Sequence, residues 1–211
     1  MNKQNVVIVD YRAGNLTSVK LALAALGVEA TVTMDPAAVR AADRVIFPGV
    51  GAAASAMASL KELDLVDAVK DSAAAGKPFL GICLGMQILF EHSEEDGGVD
   101  MLGILPGKVV KFRPFDPLVK VPEIGWNQVA QVPAAGAESL WDGVQDGSEF
   151  YFVHSYYAEF GAFTAGSSDY AGATFTAAVK KGNVFATQFH PEKSGRIGLR
   201  LLSNFLNWNP A

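Results

Sequence analysis

The 211-residue chain predicts an α/β fold, a single domain with a central mixed, mainly parallel sheet flanked by helices. Three observations carry this. Up to His92, short β-branched runs alternate with stretches of helical periodicity. Those runs carry no polar alternation, the pattern of strands buried on both faces. Beyond His92, strand-like runs follow one another with no helix between them, which predicts antiparallel strands added to the sheet.

Residues 5–10 (NVVIVD) are the first strand. After Gly14, Leu16, Val19, Leu23 and Leu26 recur at helical spacing, and Gly27 is placed to cap the helix. Residues 28–33 and 44–47 read as strands, the second stopped by Pro48-Gly49-Val50-Gly51. An alanine-rich helical region covers residues 52–75. Residues 78–82 read as a strand and 85–92 as a helix. Then residues 109–112, 126–132, 150–158 and 173–179 read as strands and 133–147 as a loop. Residues 184–188 return to a buried strand, and 197–208 close the chain as a helix with Leu201, Leu202, Phe205 and Leu206 on one face. No repeat, low-complexity tract or linker divides the chain, so residues 1–211 are read as one domain.

Composition narrows the function classes. The net charge is −5 with acids and bases interspersed, and no basic run tracks a phosphate backbone, which argues against nucleic acid. No apolar stretch is long enough to span a bilayer and the N-terminus lacks an apolar signal core, so a soluble, cytoplasmic protein is expected. With Cys83 the sole cysteine, an intramolecular disulfide is impossible and a thiolate metal site implausible. A lone cysteine is ordinarily a small buried hydrophobe.

The neighbours of Cys83 point elsewhere. In Phe79-Leu80-Gly81-Ile82-Cys83-Leu84-Gly85-Met86-Gln87 a buried strand delivers a cysteine flanked by two glycines, with a helix expected at once. This is the cysteine form of the nucleophile elbow. Side chains two residues either side of so sharp a turn would collide, hence Gly81 and Gly85. The helix N-terminus would favour thiolate, and the N–H of Leu84 is free to stabilise an oxyanion. A cysteine nucleophile needs a base, and the base an orienting acceptor. Of the three histidines, His190 follows the strand at 184–188 and so leaves the carboxyl edge of the sheet, where α/β sites lie. Glu192 comes two residues later, with Pro191 fixing the backbone between them. His92 lies in a polar helix end and reads as a solvated residue; His154, in an apolar strand, reads as a hydrogen-bonded histidine rather than a base.

The elbow at 81–87 together with His190-Pro191-Glu192 resembles the class I (triad) glutamine amidotransferases. More narrowly, nearly the whole chain is similar to the glutaminase subunits of imidazole glycerol phosphate synthases, a histidine-biosynthesis family. The residues behind that match are Asp10-Tyr11, Gly14-Asn15-Leu16, Pro48 to Gly51, Leu105-Pro106-Gly107, Gly125-Trp126-Asn127, Tyr151 to Tyr156 and Phe189 to Ser194. The resemblance implies that Cys83 attacks the glutamine amide and forms a thioester, that His190 protonates departing ammonia and then activates water, and that Glu192 holds His190. It implies that Gln87, Glu95, Ser155 and Tyr156 hold the glutamine. The loop of Gly49, Val50 and Gly51 would supply the second oxyanion N–H, that of Val50, by a peptide flip controlled by a partner. Asn15, Trp126 and Lys193 are candidates for the partner face. The implied partner is a separate cyclase with a (β/α)₈ barrel that consumes the ammonia, and no metal or organic cofactor is implied. Two positions depart from the family pattern: Arg12, where glycine is expected, and Glu123, where histidine is expected. Both bear on the surface that meets the partner. A glutaminase serving another synthase, a γ-glutamyl cysteine hydrolase and a non-enzymatic binding module remain as alternatives.

Overall fold

The computed structural model describes residues 4–133 and 140–210. In chain order it contains β1 (Val6–Val9), α1 (Leu16–Ala25), β2 (Thr31–Thr33), α2 (Pro36–Ala41), β3 (Arg44–Gly49), α3 (Ala53–Glu62), α4 (Leu65–Ala74), β4 (Phe79–Cys83) and α5 (Leu84–Gln87). The second half adds β5 (His92–Ser93), β6 (Val99–Asp100), β7 (Lys108–Lys111), β8 (Glu123–Gln131), β9 (Ser148–His154), β10 (Tyr156–Glu159), β11 (Thr164–Tyr170), β12 (Ala173–Lys181), β13 (Val184–Thr187) and α6 (Gly195–Asn207).

The strands form one mixed sheet. Its first five, in the order β2-β1-β3-β4-β13, are all parallel. Beyond β13 the pairings are antiparallel except that of β5 with β7. Helices cover both faces. Val6 and Ile8 of β1 join a cluster with Leu23 of α1 and Leu201, Leu202 and Phe205 of α6. Val7 and Val9 join a second cluster with Val39 of α2, Leu60 of α3 and Val69 of α4. A strand covered on both sides has no face for a polar residue, which is why the sequence shows a continuous β-branched run. The closing helix is one-sided for the complementary reason, since it borders solvent.

Helix α1 ends as its sequence dictates. Gly27 adopts φ 77°, its N–H reaches the Ala24 carbonyl at 2.9 Å and the Val28 N–H reaches that of Leu23 at 3.0 Å, a Schellman cap. That cap occupies Val28, so the strand expected over 28–33 pairs only at Thr31–Thr33.

Several expectations need correction. The helical region at 52–75 is two helices, broken at Asp64 with φ 55°. The expected helix at 85–92 is a single turn, Leu84–Gln87. The carbonyls of Ile88, Leu89 and Phe90 bond instead to the N–H groups of Leu102 to Leu105. Tertiary partners replace the next helical turn, and His92 lies on β5 rather than at a helix end. The run 150–158 is two strands, because β9 pairs with β8 whereas β10 pairs with β7 and β12, so the chain changes neighbours at Ser155. Residues 134–139 of the expected loop at 133–147 lie outside the described residues.

The topology positions the site. β3, β4 and β13 lie side by side and parallel, with Gly49 opposite Cys83 and Thr187 opposite Ile82. The loop after β3, the cysteine at the end of β4 and the histidine after β13 therefore emerge together at the carboxyl edge.

Candidate active site

Cys83 adopts φ 54°, ψ −113°, a conformation rarely taken by a residue with a Cβ. The close packing around it explains both flanking glycines. A Cβ on Gly85 would lie 1.8 Å from the Phe47 carbonyl oxygen, and one on Gly81 would lie 3.0 Å from both the Gly85 oxygen and the Ala186 Cβ. The elbow is thus pressed against β3 and β13, and the strain at Cys83 is held by that packing. Leu84 opens α5, so its N–H belongs to a first turn that has no intrahelical acceptor. With one turn only, the helix dipole behind the sulfur is smaller than a full helix would supply.

The structure brings the expected base and acceptor together. His190 Nδ1 lies 2.8 Å from Glu192 Oε1, and the two side chains are 1% and 0% exposed. Pro191 begins a short 3₁₀ turn that aims both inward, and Ser194 Oγ closes the turn by donating to the His190 carbonyl at 2.6 Å. Burial pushes the His190 pKa down, but Cys83 and Glu192 outweigh it and raise it to about 10. The raised value favours an imidazolium, held through Nδ1 by Glu192. Asn15, a candidate for the partner face, donates from Nδ2 to the same Glu192 Oε1 at 2.8 Å.

Beside Cys83 opens a cavity of about 430 Å³. Val50, Gly51, Cys83, Leu84, Gln87, Glu95, Ser155, Tyr156 and Lys193 all contribute to its wall, with Pro122, Val153 and His154. Gln87 is buried and donates from Nε2 to the Tyr156 carbonyl at 2.7 Å and to Gln188 Oε1 at 2.8 Å. Gln188 in turn donates from Nε2 to Cys83 Sγ at 3.7 Å. No motif singles out Gln188; its one signal is a polar residue ending a buried strand. Glu95 accepts from the Ala53 N–H at 2.6 Å. Burial, assisted by Asp96, raises its pKa against that hydrogen bond, so an incoming cation would be well received there.

Gly49 and Gly51 are glycines for different reasons. Gly51 has φ 103° with open space around it, whereas a Cβ on Gly49 would lie 1.9 Å from the Tyr11 hydroxyl oxygen. Trp126 is 54% exposed on β8. Its ring meets that of Tyr151 at 6.1 Å, and Lys193 Nζ sits over the same Tyr151 ring at 5.9 Å. Two of the three candidate partner-facing residues, Trp126 and Lys193, thus share one platform. His92 contacts Asp100 at 2.9 Å, away from the cavity, and His154 bonds through Nδ1 to the Tyr156 carbonyl at 2.8 Å. Of the two departures, Arg12 is exposed and pairs with Glu62, but Glu123 is buried beneath His154 rather than lying on the surface.

A thiol held at an elbow beside a carboxylate-bound imidazole can attack an acyl or carboxamide carbon and return a proton to the leaving group. The fold and this constellation define a class, and comparison agrees. Residues 7–208 match the family model described as glutamine amidotransferase class-I, and the chain belongs to that family. It is 50% identical to imidazole glycerol phosphate synthase subunit HisH of Aromatoleum aromaticum, covering 98% of this chain and 99% of that one. The subunit of the same name from Nitrosococcus oceani is 49% identical, with 97% and 98% covered. Among solved structures, a crystal structure of a glutamine amidotransferase superposes with a TM-score of 0.72 at 20% identity, covering 96% of this chain and 98% of that one. The structure of PurLQS from Thermotoga maritima gives 0.70 at 18% identity, with 97% and 98% covered. These two share the fold.

Proposed function

We propose that this chain is the glutaminase subunit of an imidazole glycerol phosphate synthase, releasing ammonia from glutamine for a separate cyclase. The observation that carries the chemistry is the strained Cys83 set beside the buried His190–Glu192 pair, at the mouth of a cavity of about 430 Å³. Identity near 50% over almost the whole length of subunits of that name supports the assignment to this synthase.

The Cys83 sulfur attacks the carboxamide carbon of glutamine, and the N–H groups of Leu84 and Val50 take the developing oxyanion. His190 gives its proton to the departing nitrogen, the C–N bond breaks to release ammonia, and a γ-glutamyl thioester is left on Cys83. Water, deprotonated by the now neutral His190, attacks the thioester and releases glutamate and the thiol. Glu192 fixes the ring throughout. Glu95 pairs with the substrate ammonium, and Gln87, Ser155 and Tyr156 frame its α-carbon end. The partner is a (β/α)₈ barrel in the cytoplasm that docks over Trp126 and Lys193.

The test is to combine the purified chain with such a cyclase and its nucleotide substrate and to supply glutamine as sole nitrogen source. Product formed at a rate matched by glutamate release is expected. A chain that binds the cyclase yet releases no glutamate would overturn the reading.

A further inference from the structure

We propose that Glu123 and His154 form a buried, proton-sharing pair that holds the Ser155–Tyr156 wall of the glutamine pocket, making Glu123 a positioning residue for substrate binding. This rests on the reading of that cavity as the glutamine site. Glu123 and His154 stand opposite each other on β8 and β9, and their side chains are 4% and 3% exposed. An acid and an imidazole taken out of water at such a cost require partners.

The hydrogens follow from those partners. His154 Nδ1 faces the Tyr156 carbonyl oxygen at 2.8 Å. A carbonyl has no hydrogen to give, so Nδ1 carries it. Nε2 then faces Glu123 Oε2 at 3.0 Å, and neither atom has another partner among the described residues. Bare lone pairs at that distance would repel, so a proton lies between them. The other carboxylate oxygen, Oε1, accepts from Asn127 Nδ2 at 2.8 Å, and the same amide donates to the Asp169 carbonyl at 3.0 Å.

The pair acts where the chain needs support. At Ser155 the backbone leaves the ladder with β8 and joins that with β7 and β12. The imidazole spans this step from residue 154 to the carbonyl of residue 156. That carbonyl is also the acceptor for Gln87, whose amide continues through Gln188 to the Cys83 sulfur. A displaced Tyr156 carbonyl would disturb the glutamine pocket first, because Gln87 would lose that acceptor and still keep Gln188.

The experiment is glutaminase kinetics on the complex with the cyclase, reading KM and kcat separately for wild type, Glu123→Ala and Glu123→Gln. Glu123→Ala leaves Nε2 over a void, and KM for glutamine is expected to rise about tenfold or more while kcat stays within about threefold. Glu123→Gln keeps the acceptor for Asn127 and offers an N–H to a neutral Nε2, so it is expected to bring KM back close to wild type. An unchanged KM in Glu123→Ala, a loss confined to kcat, or a Glu123→Gln variant as poor as Glu123→Ala overturns the proposal. Should Glu123→Ala not fold, nitrogen NMR of His154 in the wild-type chain decides. Hydrogen on Nδ1 together with an Nε2 that is protonated or hydrogen-bonded to the Glu123 carboxyl supports the pair, and an Nε2 free of any hydrogen bond refutes it. A wild-type complex that releases no glutamate would sink the glutaminase reading, and the NMR result would still judge the pair.

Discussion

Asn15 Nδ2 and Glu192 Oε1 are 2.8 Å apart, although 177 positions separate them in the chain. The same oxygen accepts from His190 Nδ1 at 2.8 Å, while Glu192 Oε2 has no hydrogen-bond partner among the described residues. Asn15 sits at the start of α1 with φ 73°, so the first βα turn of the fold reaches across to the carboxylate that orients the base. Asn15→Ala removes a donor to a charged group and is expected to lower glutamine turnover about tenfold. Asn15→Asp sets a second carboxylate against a buried one and is expected to be worse. Equal activity of Asn15→Asp and wild type in a steady-state assay would show that this contact is idle.

The packing of the elbow predicts a stability effect. Gly85→Ala drives a Cβ to within 1.8 Å of backbone that has no freedom to move, the Phe47 carbonyl of a central strand. The expected cost is about 3 kcal/mol or more, read by chemical denaturation. Gly76→Ala is the control. It has open space but φ 74°, so only the conformational cost of about 1 kcal/mol applies. Similar losses for the two variants would refute the packing argument.

The charge balance at His190 predicts a shift with a definite sign. Burial depresses its pKa, and Cys83 together with Glu192 raises it to about 10. In Cys83→Ala the largest raising influence is gone, so His190 should titrate lower than in wild type, as followed by imidazole NMR. The raised pKa keeps His190 an imidazolium at neutral pH, and the proton it delivers to the leaving nitrogen is expected to be lost as pH rises through the folded-state value. A His190 that titrates identically in both proteins would contradict the coupling.

How much of this was legible in the sequence depended on what each segment packs against. β1, β3, β4 and β13 are buried along their full length, and their mostly apolar composition, broken only at Arg44 and Thr187, announces it. β11, with the sequence TAGSSDY, carries no such signal. It is a strand because β8 and β12 flank it, and its small residues fit beneath neighbours such as Trp141 and Val129. Helix α2 is short, yet Asp35 accepts from the Ala37 N–H at 2.9 Å ahead of Pro36, an N-cap readable in the sequence and passed over there. The elbow and the His-Pro-Glu turn were legible because their chemistry and spacing are local. The ties of Asn15 to Glu192, Gln188 to Cys83 and Glu123 to His154 were not, because each joins segments far apart in the chain.

The loop of Pro48 to Gly51 predicts regulation. Gly51 has the rare φ of 103° in open space, which leaves the adjoining peptide free to reorient, whereas Gly49 is confined by the Tyr11 hydroxyl. One missing oxyanion donor is worth about 10²–10³ in rate. The cyclase ligand is therefore expected to stimulate glutamine hydrolysis in the complex by about that factor, and Gly51→Ala, which has room for its Cβ but resists φ 103°, to reduce the stimulation. Turnover that is equal with and without the ligand would refute the switch.

The central claim is that Cys83, acting with His190 and Glu192, is the nucleophile that frees ammonia from glutamine. It is tested most directly by comparing nitrogen sources in the cyclase complex of wild type and Cys83→Ala. Wild type is expected to make product from glutamine or from added ammonium, and Cys83→Ala from ammonium alone, its glutamine-dependent rate down on the order of 10³-fold or more. Glutamine-dependent turnover in Cys83→Ala close to that of wild type would contradict the account.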